Sequence, residues 1–186
     1  MERKNSKYLR KNPPKSNELE NIKRNPIYFV LDNVLDTYNI GSVFRLGDAT
    51  AVEKIYICGE SEYPPSSRIH KAAVGTEEWV PWEYSKSTVD VIKKIKNDGV
   101  QIVAVEQDTR SIPYTLLPTK INLPIALVVG HETTGVSKNV LDMADLIIEL
   151  PMFGINKSIN VWGSLAIIVY KVIEYLIFKP YTKKKS

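Results

Sequence analysis

The sequence predicts an α/β fold, a mostly parallel sheet with helices on both faces. Three observations carry this expectation. Residues 27–31, 54–58, 101–105, 125–129 and 146–150 are apolar runs. They are continuous rather than alternating, as strands buried on both faces are. Between them lie segments whose apolar residues recur at helical spacing, the alternation that builds parallel sheets. With 186 residues, 44% of them hydrophobic, the chain suffices for one domain with a proper core.

The elements follow in order. Residues 1–26 have no apolar period and hold Pro13, Pro14, Asn5, Asn12, Asn17 and Asn21, so they predict a flexible basic extension that orders on binding. The first strand spans 27–31, a polar loop 32–39, and a helix 40–51 with Val43, Phe44 and Leu46 among its apolar residues. The second strand, 54–58, is closed by Gly59. Residues 60–86 read as irregular, with Pro64, Pro65, His70, Trp79, Pro81 and Trp82. Ser87-Thr88-Val89-Asp90 resembles a capping box with Asp in place of Glu. The helix behind it aligns Val89, Ile92 and Ile95 and stops at Gly99. The third strand is 101–105, the fourth 125–129, then a short helix over 137–144 and the fifth strand, 146–150. After Pro151 a loop leads to a long apolar helix that begins near Ser158 or Asn160 and runs to Phe178. No repeat or second domain is evident; the expected organisation is an extension 1–26, one domain 27–180 and a basic tail 181–186.

Composition narrows the function classes. One cysteine, Cys58, rules out an internal disulfide and a cysteine-based zinc site, and only His70 and His131 are histidines, so no metal is expected. No uninterrupted run reaches the ~18 apolar residues of a membrane span, and no apolar signal core opens the chain. A soluble, cytoplasmic protein of a reducing compartment is expected. The net charge of +4 is uneven: residues 1–26 hold eight Lys and Arg against three Glu, and 171–186 hold five Lys against one Glu, which leaves the body at −5. Basic ends on an acidic body read either as arms for a polyanion or as solvated tails.

Three loops carry the polar residues that suggest chemistry, and each follows an apolar strand. They are Asn39 to Arg45, Gly130 to Gly135, and Leu150 to Val161. Ligands of open parallel sheets bind beyond the carboxyl ends of the strands, so the three are expected to converge. No phosphate-binding loop, dinucleotide fingerprint or serine elbow is present. The three segments resemble the motifs of the SpoU/TrmH family of RNA 2′-O-ribose methyltransferases, in the SPOUT superfamily. Asn39, Gly41 and Arg45 fit the first motif. Gly130, Glu132 and Gly135 fit the second, and Pro151, Met152, Gly154, Ser158, Ile159, Asn160 and Val161 the third. A narrower similarity, to the catalytic domains of eukaryotic tRNA D-loop guanosine 2′-O-methyltransferases, rests on Glu78-Trp79-Val80-Pro81 and on Gly99 through Gln107. Ile159 departs from the usual Leu, and Trp162-Gly163 from the usual small or β-branched pair.

The resemblance implies a C-terminal trefoil knot, S-adenosyl-L-methionine as cofactor, a homodimer with shared active sites, and RNA as substrate, tRNA before rRNA. It implies cofactor contacts at Val105, Glu106, Gly130, Leu150, Met152 and Ile159. It places Arg45, Asn39, Glu132, Ser158 and Asn160 at the reacting ribose. Arginine, with a pKa above ~12, is a poor base; a role in orienting ribose or phosphate and stabilising negative oxygen suits Arg45 better. Glu132 is then expected to hold Arg45 or a neighbouring motif residue, and Asn39, Ser158 and Asn160 to fix the hydroxyl and the loop. Asn39 also reads as a helix N-cap, Arg45 as a solvated helix residue, His131 as structural, and Trp79 and Trp82 as either RNA-stacking or packing residues.

Overall fold

A computed structural model describes residues 4, 6–9 and 12–178; the basic tail 181–186 and the remaining residues of the extension lie outside the described residues. Helices α1 (Ser6–Leu9) and α2 (Ser16–Glu20) precede strand β1 (Asn25–Asp32), α3 (Thr37–Ala49), β2 (Val52–Cys58) and α4 (Ser67–Ala73). A 3₁₀ turn (Thr76–Glu78) leads to β3 (Trp82–Ser85), α5 (Thr88–Asn97), β4 (Gln101–Val105), β5 (Ile112–Pro113) and a 3₁₀ segment (Tyr114–Thr119). Then come β6 (Ile125–Gly130), α6 (Lys138–Leu141), β7 (Leu146–Glu149) and α7 (Val161–Phe178). Among the described residues the sheet has seven strands in the order β3-β2-β1-β6-β4-β7-β5, every neighbouring pair parallel.

The continuous apolar runs are explained by two cores. Along β1, Phe29 and Leu31 pack under α3, α4 and α7, while Val30 packs on the other face with Val91, Ile92 and Ile95 of α5 and Val140 of α6. Each fully buried side chain of this size contributes roughly 1.5–3 kcal/mol, so neither face tolerates a polar residue. Helix α7, at 18 residues, is by length and composition alone long and apolar enough to cross a membrane, although Lys171 and Glu174 interrupt its apolar residues. Those two pair at 2.8 Å, and Leu165, Ile168, Val169 and Val172 bury one side of the helix in the core.

Several expectations shift. The first long helix begins at Thr37, not Ile40, because Asp36 caps it through a bond from the Tyr38 N–H at 2.8 Å. Asn39 is therefore inside the first turn and is not the cap. The capping box at Ser87 is half formed: its hydroxyl accepts from Asp90 N at 3.2 Å, but Ser85 Oγ takes the Ser87 N–H at 3.3 Å. Two short edge strands, β3 and β5, went unread. Within the extension, α2 is helical, Leu9 and Leu19 pack against the core, and Arg24 donates to Val52 O at 3.0 Å and Trp79 O at 3.1 Å. Trp79 and Trp82 are packing residues: the first is buried and donates to Asp48 Oδ1 at 2.7 Å, and the second sits edge-on to Phe44.

Gly41 has a packing reason. A Cβ there would lie 2.5 Å from Ala72 Cβ and 2.7 Å from Ile69 O, so α3 and α4 are too close at this residue for a side chain. Gly41→Ala is expected to destabilise the fold by about 1–3 kcal/mol, measured as a lower denaturant midpoint at unchanged slope. An unchanged midpoint would show that the two helices separate freely.

Candidate active site

The carboxyl ends of four strands lie side by side, Asp32 of β1 opposite Gly130 of β6 and Val105 of β4 opposite Ile148 of β7. The segments that leave β4, β6 and β7 bound one cleft of about 290 Å³. Val105, Glu106, Gly130, Leu150, Met152 and Ile159, named from the sequence as cofactor contacts, all line it, as do Glu132 and Ser158. Asn39, Asn160 and Arg45 are not part of that lining.

Asn39 and Asn160 stand next to the cleft through Glu132. Helix α3 begins about two turns before the motif arginine, and Asn39 in its first turn is buried at 3% exposure. Its Nδ2 donates to Glu132 Oε1 at 2.9 Å, and its Oδ1 accepts from Asn160 Nδ2 at 2.9 Å. Asn160 in turn caps α7, accepting from Trp162 N at 3.0 Å. The Glu132 carboxylate also accepts from Leu35 N at 3.1 Å and Asp36 N at 3.0 Å. Partial burial pushes its pKa up, but the Asn39 amide and the Asp36 and Leu35 N–H groups outweigh this and hold it below the usual glutamate value. Of the two partners expected for Glu132, the neighbouring motif residue Asn39 is the one it holds, not Arg45. All three motifs are thereby hydrogen-bonded into one unit, which fixes the Asn39 amide with its oxygen toward Asn160.

The second motif folds on itself. His131 and Gly135 exchange backbone bonds at 3.1 and 2.8 Å, and a Cβ on Gly130 would fall on the Gly135 backbone. His131 Nδ1 accepts from Thr133 N at 3.0 Å, a structural use of the ring. Gly135 at φ +71° approaches the Glu106 carboxylate, which accepts from Val136 N and Gln107 N at 2.9 and 2.8 Å. Glu106 therefore serves the cleft wall with both oxygens and ties the segment after β4 to the segment after β6. The side chain of Gln107 extends the tie to the third motif by donating to Lys157 O at 2.6 Å.

Arg45 is exposed, and no ion pair holds it among the described residues. Ser158 is exposed at the cleft. Sequence reasoning missed Asp32, 1% exposed, whose carboxylate accepts from Thr88 Oγ1 at 2.6 Å, Ser137 N at 2.7 Å and Asn33 Nδ2 at 2.9 Å. It pins three loops at the carboxyl edge; a charged residue closing a wholly apolar run was the available signal. Cys58 is buried beside it, and burial pushes its thiol up to about 12, which leaves it an unreactive packing group.

Comparison with known proteins agrees with this geometry. Over 153 residues the chain is 28% identical to the tRNA (guanosine(18)-2′-O)-methyltransferase of Borreliella burgdorferi, covering 82% of this chain and 68% of that protein. It is 29% identical to the 23S rRNA (guanosine-2′-O-)-methyltransferase RlmB of Nitrosomonas europaea, covering 82% of this chain but only 58% of the relative. The fold superposes on the TrmH/SpoU tRNA modifying enzyme of A. aeolicus with a TM-score of 0.76 at 28% identity, over 94% of this chain and 83% of that one. It matches the AdoMet-bound rRNA methyltransferase of Sinorhizobium meliloti with a TM-score of 0.75 at 26% identity, over 83% and 58% of the two chains. The SpoU rRNA Methylase family itself matches residues 26–170, from within β1 into α7 and across all three motifs, and the chain belongs to that family.

Proposed function

We propose that the chain transfers the methyl group of S-adenosyl-L-methionine to the ribose 2′-hydroxyl of a nucleotide in structured RNA, tRNA in preference to rRNA. The observation that carries the reading is the cleft: the six residues expected at a cofactor line it together, and the motif asparagines are fixed at its edge. Its lining suits a nucleoside, with Val105, Leu150 and Ile159 as apolar surface. Such a cofactor supplies an electrophilic methyl sulfonium. The chain must then align a hydroxyl with it, and alignment supplies much of the rate. Ser158 stands at the cleft to hold that hydroxyl, while the amides of Asn39 and Asn160 position the third-motif loop. Arg45 orients the ribose or its phosphate and stabilises the developing oxygen charge, without serving as base.

The reading extends to a homodimer whose sites mix two subunits. Phe153 and Ile155 of the third-motif loop are 95% and 104% exposed, and Trp162, Ile167 and Tyr170 are exposed on α7. An apolar surface of that kind fits a second copy of the chain. A Cβ on Gly163 would meet nothing closer than Asn160 Cβ at 4.0 Å, so no contact among the described residues requires glycine there. The knot belongs to the same proposal. The Gln107 bond to Lys157 and the packing of residues 114–119 on α7 support threading of the C-terminal segment past residues 106–119.

Nucleoside mass spectrometry of RNA from cells lacking the protein tests the function. One 2′-O-methylnucleoside is expected to disappear from tRNA and return with the purified protein and cofactor. Loss from rRNA alone would move the substrate, and an unchanged profile together with no cofactor binding in calorimetry would overturn the reading.

A further inference from the structure

Outside the cleft, the segment between β2 and β3 holds a second cluster of potential ligands. Helix α4 ends in two left-handed residues, Val74 at φ 61° and Gly75 at φ 91°, which fold the Thr76–Glu78 turn back against the helix. The fold-back brings Glu77 Oε1 to 2.5 Å from His70 Nδ1. The Glu77 side chain is only 7% exposed, and its other oxygen, Oε2, is buried with no hydrogen-bond partner among the described residues. A buried carboxylate oxygen with no donor is expensive, because water has been stripped from an anion without replacement. The hydrogen bond with His70 satisfies one oxygen and leaves the other unexplained. Beside it stands Glu78, and one ligand atom from each of His70, Glu77 and Glu78 lies within 4.8 Å of the others.

The geometry points to a binding site for a transition-metal dication of the zinc type, held by His70, Glu77 and Glu78. An imidazole nitrogen with two carboxylate oxygens suits zinc better than magnesium or calcium, which take oxygen ligands. Zinc bonds to such atoms are roughly 2.0–2.2 Å long, so the ligand atoms close on an ion with small rotations of the exposed His70 and Glu78 side chains. The cation replaces the proton that Nδ1 and Oε1 share. From the imidazolium, that proton leaves the protein and the ring keeps its hydrogen on Nε2; from the neutral Nδ1–H tautomer the hydrogen moves to Nε2 and no proton is released. The composition argued against a histidine-rich site; this one needs a single histidine. Bound there, the ion ties the 3₁₀ turn to α4, the helix that packs on Gly41 of α3, and so braces the helix that carries Asn39 and Arg45.

The test is calorimetric titration of the chelator-treated full chain with zinc chloride, with magnesium chloride as comparison. One zinc per chain is expected, with no saturable magnesium binding. His70→Ala and Glu78→Gln, both at exposed positions, are each expected to weaken zinc binding at least tenfold. Zinc is also expected to raise the Tm of the wild type and not that of His70→Ala. Absence of saturable zinc binding, wild-type zinc affinity in either variant, or magnesium binding as tight as zinc would each overturn the assignment.

Discussion

Arg45→Ala is expected to lower methyl transfer by at least ~10²-fold, on the scale of losing one donor to a developing oxyanion. Affinity for S-adenosyl-L-methionine is expected to stay within about twofold of wild type, because Arg45 is absent from the lining of the cleft. The fold is expected to be unaffected, since the side chain is exposed and makes no ion pair among the described residues. Exposure also separates the two roles open to this residue. A solvated helix arginine could be removed without consequence. An arginine that meets RNA, or the partner subunit's site, costs turnover while leaving stability and cofactor binding intact. Single-turnover kinetics beside cofactor calorimetry measure both quantities. Wild-type turnover would remove Arg45 from the reaction.

Asn39→Asp is expected to have the second large effect, and with a definite pH dependence. The substitution keeps the shape but turns the donor 2.9 Å from Glu132 Oε1 into a second carboxylate, at a buried position. Two carboxylates so close cannot both ionise, so the pair retains a proton that the unfolded chain has already lost. The native variant then binds more protons than the unfolded one at neutral pH, and its stability falls as pH rises. We expect a loss of about 2–4 kcal/mol at pH 8, mostly recovered near pH 5, where the shared proton rebuilds the bond. In the wild type the sign is opposite. The lowered pKa of Glu132 stabilises the network above the usual glutamate range, and this contribution is lost only as pH falls through the depressed value. Denaturation at the two pH values measures the difference, and an equal loss at both would show that Asn39 and Glu132 are not coupled.

Much of the fold was legible because burial on both faces leaves a local mark. Strand β4 was read to the residue, and the other central strands differ from their expected bounds only at the ends. Strand β3 escaped because each residue of Trp82–Ser85 is half-buried at a sheet edge, so neither a continuous run nor an alternation appears. Strand β5 has two residues, too few for any period. The start of α3 was misread because Asp36 and Asn39 are both good caps; Asp36, the one outside the helix, takes the Tyr38 N–H.

The three motifs and their order were visible in the chain, and so was their attachment to strand ends. Their partners were not. Asn39 reaches Glu132 across 93 residues and Asn160 across 121, so no local window holds both ends of either bond. Asp32 looked like an ordinary acidic residue at a strand end until packing removed its water and aimed the Ser137 N–H at it. Glu106, expected at the cofactor, gave no sign of the Val136 and Gln107 N–H groups it accepts from. Hydrophobic periodicity is written into each segment separately, because it answers to the solvent on either side of that segment. The network around Asn39 depends on the β1–β6 pairing and on the return of the chain into α7, which only the assembled sheet decides.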